Sequence, residues 1–312
     1  MARILVTGAA GFIGRTLCPT LAARGHRVIA ALRRAGPPPE DSEPLILGNI
    51  SPATNWSAAL DGIDTVIHLA QRAHAGPDPA VLAAEPATVA ALARAVASAG
   101  SRRLVLVSSV KAMGETTARD RPLRADDEPH PQDEYGRSKL ASERAAMAAA
   151  RETGLELVIV RPPLIHGPGV RANFAALLRL AGSDLPLPFA AIDNRRSLIF
   201  RDNLADLLAT AAIHPAAAGM ILLARDQDYS TPGLIRALAA GLGREARLFP
   251  VPEAVFAALR ALPGVGAKLA RLTSSLQVDD SATRDALGWA PPVAAALGLA
   301  ATARAFAAGC KS

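Results

Sequence analysis

The sequence predicts an α/β fold: a doubly wound parallel sheet over residues 1–165, followed by a smaller, mainly helical domain over 166–312. Three observations predict it. The first 161 residues alternate short apolar runs with helical stretches. The runs are apolar throughout, as strands buried on both faces of a parallel sheet must be. A glycine-punctuated turn joins the first run directly to the first helical stretch.

In order, the apolar runs at 4–6, 28–32, 45–47, 65–69, 104–107 and 155–160 read as strands, and 12–23, 56–60, 80–98 and 134–151 as helices. Pro86 falls inside the third helix, so it either kinks that helix or marks its start. Pro37-Pro38-Pro39 opens a surface loop after the second strand. Beyond Arg161 prolines become frequent. Residues 173–181, 203–213, 231–242, 252–262 and 292–307 read as helices, and 197–200 and 220–223 as short strands, some of which are free to return to the first domain.

Composition narrows the function classes. A chain of 312 residues, half apolar and one-fifth charged, buries a substantial core. The formal charge is +6, but the basic residues are dispersed apart from pairs such as Arg33-Arg34, Arg102-Arg103 and Arg195-Arg196. That distribution argues against nucleic acid and for an anionic small molecule held by a few arginines. Cys18 and Cys310 lie far apart without ligand-like neighbours, so neither a metal site nor a disulfide framework is expected. No stretch approaches the roughly 20 uninterrupted apolar residues of a membrane span, and the N-terminus does not read as a signal peptide. A soluble protein of the reducing cytoplasm is the expectation.

Residues 3–14 read Arg-Ile-Leu-Val-Thr-Gly-Ala-Ala-Gly-Phe-Ile-Gly. Gly8 and Gly11 permit a tight turn and let backbone N–H groups reach a pyrophosphate at the positive end of the first helix. Gly14 removes a side chain where helix and sheet touch. A lone glycine motif is a weak signal, but at the start of a βαβ unit it points to a Rossmann-type dinucleotide site. The second strand ends in Leu32-Arg33-Arg34, with no acid until Glu40. An acid there would select the ribose 2′-hydroxyl of NAD, whereas Arg33 suits the 2′-phosphate of NADP. NADP(H) is therefore favoured, with NAD(H) the alternative.

Tyr135-Gly-Arg-Ser-Lys139 places Tyr and Lys one helical turn apart, on one face. A phenol of pKa about 10 is a poor acid–base catalyst at neutral pH. A neighbouring ammonium and an oxidised nicotinamide favour the phenolate; reaching neutrality needs about 4 kcal/mol of differential stabilisation. Alone, this spacing more often means a tyrosine anchoring a helix while the lysine snorkels. Ser108-Ser109 changes the odds by ending a buried strand at the sheet's C-terminal edge, where ligands of open α/β folds bind. The bland alternative is that both serines merely cap the strand.

Together, the glycine turn, the strand-end serine and the Tyr/Lys helix resemble the extended short-chain dehydrogenases/reductases of the nucleotide-sugar epimerase/dehydratase family, over nearly the whole chain. The resemblance makes Ser109 the active-site hydroxyl, Tyr135 the acid/base, and Lys139 the ligand of the nicotinamide ribose that tunes Tyr135. It puts Phe12, Ile13, Asn49, Ile50, Leu69, Ala70, Gln71 and Pro162 on the cofactor. It implies that His68 is a packed strand residue and that Lys111, Asn173 and Arg196 meet the substrate, Arg196 through its diphosphate. Trp289 is expected in the core.

The family it resembles shares hydride transfer at a sugar carbon, usually C4. Dehydratases carry an Asp-Glu pair after the active-site hydroxyl; Val110 and Lys111 stand there, which disfavours dehydration. The resemblance leaves a 4-ketoreductase of a UDP- or other nucleotide-linked 4-keto-sugar, slightly preferred for Arg33 and the Ser-Ser-Val-Lys segment, and a UDP-hexose 4-epimerase. It also implies a homodimer. A non-catalytic NADP(H)-sensing regulator is the reading from a different class; such proteins commonly lose the tyrosine or lysine kept here.

Overall fold

The computed structural model describes residues 1–70, 79–260 and 266–309. Six strands, β1 (Arg3–Thr7), β2 (Arg27–Leu32), β3 (Glu43–Ile46), β4 (Thr65–His68), β5 (Arg103–Val107) and β6 (Glu156–Arg161), alternate with helices α1 (Gly14–Ala23), α2 (Ser57–Leu60), α3 (Pro79–Ser98) and α4 (Glu134–Thr153). The rest of the chain supplies β7 (Leu164–His166), α5 (Ala172–Ala181), β8 (Arg196–Phe200), α6 (Arg201–Ile213), β9 (Ile221–Leu223), β10 (Gln227–Tyr229), α7 (Thr231–Gly241), α8 (Glu253–Arg260), α9 (Gly266–Thr273), α10 (Ser281–Leu287) and α11 (Ala295–Gly309).

The main sheet has the order β3-β2-β1-β4-β5-β6-β9, parallel throughout, so the expected doubly wound Rossmann-type architecture is present. Its strands are apolar because both faces are covered. Ile4 and Val6 pack with α1 and α6 on one side, while Leu5 packs with α3 and α4 on the other. The chain runs outward from β1 in one direction and from β4 in the other, opening a crevice between their C-terminal ends.

The second half is not a separate layer. β9 extends the main sheet beside β6, and α6 lies against α1. Arg103, fully buried, fastens this return: its guanidinium donates to the carbonyls of Ala211 and His214 at the end of α6, each at 2.9 Å, and pairs with Glu156. The remaining elements enclose their own core of Phe174, Leu178, Leu198, Ile235, Leu238 and Leu299 beside a small sheet, β10-β8-β7.

Several elements depart from expectation. The third strand begins two residues early and contains Pro44, which an edge strand tolerates because no outer ladder needs its missing N–H. Pro86 does not start its helix, which begins at Pro79. β7 and β10 are three residues each, too short for a periodicity signal, and α9 and α10 likewise escaped detection. By length and composition α3 is apolar enough to cross a membrane, against the sequence expectation; here it lies along α4 and against β5, with Val89, Leu92 and Val96 in the core.

Candidate active site

The crevice begins at Thr7, the last residue of β1. Its hydroxyl lies 2.8 Å from His68 Nδ1 and accepts the Ala70 N–H at 3.3 Å, tying the ends of β1 and β4 together. Gly8 follows with φ +69°, and a Cβ there would stand 2.9 Å from the Ala70 nitrogen. Gly14 is pressed on Ala9, whose carbonyl oxygen would lie 2.3 Å from an added Cβ. Ile13 precedes α1 without a side-chain cap; the Arg15, Thr16 and Leu17 N–H groups are taken by the Gly11 and Ile13 carbonyls, which leaves those of Phe12, Ile13 and Gly14 to meet an anion. Gly11 is exposed on that turn, and the Phe12 ring lies beneath the Arg201 guanidinium, 5.4 Å from it.

These features fit a dinucleotide. Arg33 is exposed just beyond β2, and Asn49 just beyond β3, while Ile50 packs on the sheet core. Leu69 and Ala70 are half-buried past β4; Gln71 lies outside the described residues. Among the described residues no group of His, Cys, Asp and Glu is arranged to hold a metal.

Ser109 stands two residues beyond β5 in extended conformation and accepts the Lys111 N–H at 3.2 Å, starting a short 3-10 turn. The turn is also held by the Pro162 carbonyl, which accepts the Val110 N–H at 3.0 Å. Asp133 caps α4 by accepting the Gly136 N–H at 2.7 Å. Tyr135 occupies the first turn, close enough to the Ser109 hydroxyl for that hydroxyl to oppose the rise in the phenol's pKa. Lys139 Nζ lies 5.3 Å from the centre of the Tyr135 ring. The three side chains predicted to act together are together.

Their electrostatics differ from expectation. Burial first, and the Glu85 carboxylate second, raise the Tyr135 phenol well above its usual range, against the Ser109 hydroxyl. Lys139 does not overcome this, because Glu85 Oε1 stands 3.2 Å from its ammonium and both residues are buried. Burial lowers the Lys139 pKa while Glu85 and then Glu143 oppose the fall. His68 is pushed down to about 3 by burial and the Lys139 charge, so it is a neutral packed residue.

On the substrate side, Lys111 Nζ bridges Glu115 at 2.6 Å and Asp133 at 2.5 Å. Arg196 opens β8, half-buried, donating to the Ser274 carbonyl at 3.1 Å. Burial lowers its pKa; Glu115 opposes this and Arg271 adds to it, so Arg196 lies within electrical reach of both. Asn173 is exposed in the first turn of α5, directly after Ala172 at φ +52°.

Residues 4–222 match the sequence profile of the NAD dependent epimerase/dehydratase family. The chain belongs to this family. It is 37% identical over 311 residues to a UDP-glucose 4-epimerase of Vibrio cholerae, covering 97% of this chain and 95% of the relative. It is 32% identical over 263 residues to a dTDP-4-dehydrorhamnose reductase of Mycolicibacterium smegmatis, covering 84% and 70%. Its fold matches that of the UDP-glucuronic acid 4-epimerase of Bacillus cereus solved with NAD, with a TM-score of 0.77 at 22% identity over 97% of this chain and 96% of that one.

In this epimerase/dehydratase family member, the sequence missed three residues at the site. Glu85 carried no signal because its partner, Lys139, is 3.2 Å away in the fold but on another helix and 54 positions away in the chain. Arg271 sits in an undetected helix. Gly136 was visible inside the tyrosine motif, but its role depends on a contact: a Cβ there would lie 2.3 Å from the Lys111 carbonyl oxygen. Trp289 is in the core, as expected, with its indole N–H donated to Asp206 at 2.9 Å.

Proposed function

We propose that the protein is an NADP(H)-dependent oxidoreductase acting at C4 of a UDP-linked hexose, and that its net reaction is reduction of a 4-keto-sugar. The carrying observation is the Tyr135 phenol within the influence of the Ser109 hydroxyl, with the Lys139 ammonium 5.3 Å from the centre of the same ring, at the strand end facing the glycine turn. Bound nicotinamide supplies the hydride chemistry. Tyr135 passes its proton to the sugar oxygen as charge develops there, and Ser109 holds that oxygen in line. Lys139 orients the nicotinamide ribose.

The binding residues divide the ligands. Gly8, Gly11, Phe12, Ile13 and Gly14 present backbone to the cofactor pyrophosphate. Arg33 takes the 2′-phosphate, Asn49 and Ile50 the adenine side, and Leu69, Ala70 and Pro162 flank the nicotinamide half. Arg196 and Arg271 receive the substrate diphosphate, with Asn173 near its nucleotide. Lys111 orders the serine turn against the catalytic helix and approaches the sugar. The working form is a cytoplasmic homodimer joined through the outer faces of α3, which is largely apolar, and α4, where Ala141 and Ala148 alternate with Arg137, Arg144 and Arg151; light scattering tests it directly.

Reduction is favoured over 4-epimerisation by Arg33 and by a tyrosine held protonated, ready to donate. The epimerase reading is favoured by the full-length similarity to the Vibrio cholerae relative. Incubating the pure protein with UDP-galactose, UDP-N-acetylgalactosamine and UDP-4-keto-sugars, with and without NADPH, separates them. NADPH consumption in proportion to ketone supports the reductase. Epimer formation without added cofactor overturns it in favour of the epimerase. Tight NADPH binding with no turnover on the panel would leave a regulator.

A further inference from the structure

Glu85 lies on α3, which packs lengthwise along α4. Its Oε1 is 3.2 Å from Lys139 Nζ, and its Oε2 is buried with no hydrogen-bond partner among the described residues. A buried carboxylate with an unsatisfied oxygen lowers stability. A carboxylate beside the ammonium also weakens the field that the ammonium exerts on the neighbouring phenol. Packing alone would favour an apolar side chain at this position, so the charge has work at the site.

The other charges facing the pair are already answered. Glu143, on α4 one turn beyond Lys139, is bound to Arg161 of β6 at 2.6–3.2 Å. Asp133, at the start of α4, is held by Lys111. His68, at the end of β4, is neutral, and Ser109 brings only a hydroxyl. Among the described residues Glu85 is the carboxylate in direct contact with Lys139, with Glu143 acting on it from further off.

We propose that Glu85 is a positioning residue that fixes the Lys139 ammonium beside the Tyr135 ring and holds the Tyr135–Lys139 pair fully protonated at neutral pH, setting the tyrosine to act first as a proton donor. The proposal rests on the reading of Tyr135 as the acid/base. The directions of the two pKa displacements agree with it: Glu85 raises Tyr135, after burial, and opposes the burial-driven fall of Lys139.

The chain has two tyrosines, Tyr135 and Tyr229. In a Tyr229→Phe background, tyrosinate absorbance of the full chain therefore reports Tyr135 alone, and its loss in Tyr135→Phe verifies the assignment. Glu85→Gln, nearly isosteric, is expected to bring tyrosinate in at a pH lower by about one unit or more. Glu85→Asp should stay near the parent. Superimposed curves for Glu85→Gln and parent, including no tyrosinate in either up to the pH at which the fold is lost, overturn the proposal.

With a turned-over substrate, the acid limb of the oxidation direction should move the same way in Glu85→Gln with KM nearly unchanged. A uniform fall in kcat without movement of the profile counts against the proposal. The titration needs no substrate, so the two readings fail separately. A moved titration with no turnover would sink the enzyme assignment alone, whereas an unmoved one in an active enzyme would sink only the role of Glu85.

Discussion

Gly136 backs directly onto the carbonyl of Lys111: a Cβ on it would lie 2.3 Å from that oxygen and 3.1 Å from Pro131 Cβ. The glycine therefore decides how closely the helix carrying Tyr135 approaches the turn carrying Ser109. Gly136→Ala must push the two apart, and a displacement near 1 Å at a reacting group costs on the order of 100-fold in rate. The expected result is a kcat fall of that order with cofactor affinity within a few-fold of the parent, read by initial rates and by NADPH fluorescence titration. Unchanged kcat would show that the serine and tyrosine need not meet.

Tyr135→Phe removes only the hydroxyl. The ring keeps its packing and its place beside Lys139. Loss of a general acid typically costs about 10²–10⁴ in rate. Turnover on the substrate found in the nucleotide-sugar panel should fall by that order, while NADPH binding stays intact. Full activity would remove the acid/base role from this residue.

Arg196 carries charge in a half-buried setting where burial lowers its pKa and Arg271 repels it. A cation so placed gains most from an anionic ligand. Arg196→Met should raise the KM for the nucleotide sugar by on the order of 10–100-fold, with kcat much less affected. It should also leave the melting temperature of the ligand-free protein no lower than the parent, and diminish the stabilisation conferred by added UDP. A variant with parental KM would place the diphosphate elsewhere.

The glycine turn, Ser109, Tyr135 and Lys139 were legible because each is tied to a local element: a strand end, a helix start, one helical turn. The main sheet was legible for the same reason, as uninterrupted apolar runs have few other uses. What stayed hidden is what only tertiary contact creates. Arg103 read only as half of a basic pair, and nothing local announced that its guanidinium is buried against the end of α6, 108 and 111 positions along the chain. The run at 220–223 reads as a strand free to return, but that it, and not 197–200, joins the main sheet beside β6 no local pattern announces. The tyrosine's ionisation followed the same rule. Lys139 was visible four residues away, but Glu85, which opposes its effect on Tyr135, lies on α3.

His166 extends that point to stability. It is buried, stacks on Phe174 with ring centres 5.3 Å apart, and shares a 3.0 Å hydrogen bond with Thr302. Burial pushes its pKa down to about 3 from an ordinary value of 6.5. The unfolded chain therefore takes up a proton as pH falls through 6.5, whereas the native chain does not until about 3. Its contribution to stability is complete above 6.5 and is lost progressively through that window, by roughly 3 kcal/mol between neutrality and about pH 4. His166→Phe preserves the stack and leaves Thr302 still donating to the Gly298 carbonyl at 2.7 Å. Urea unfolding at about pH 7 and about pH 4 should show a markedly smaller loss in the variant than in the parent, the remainder coming from His68, His26 and the carboxylates that their partners hold below the usual range, such as Glu156. Equal losses in both proteins would mean that His166 is already protonated in the native state.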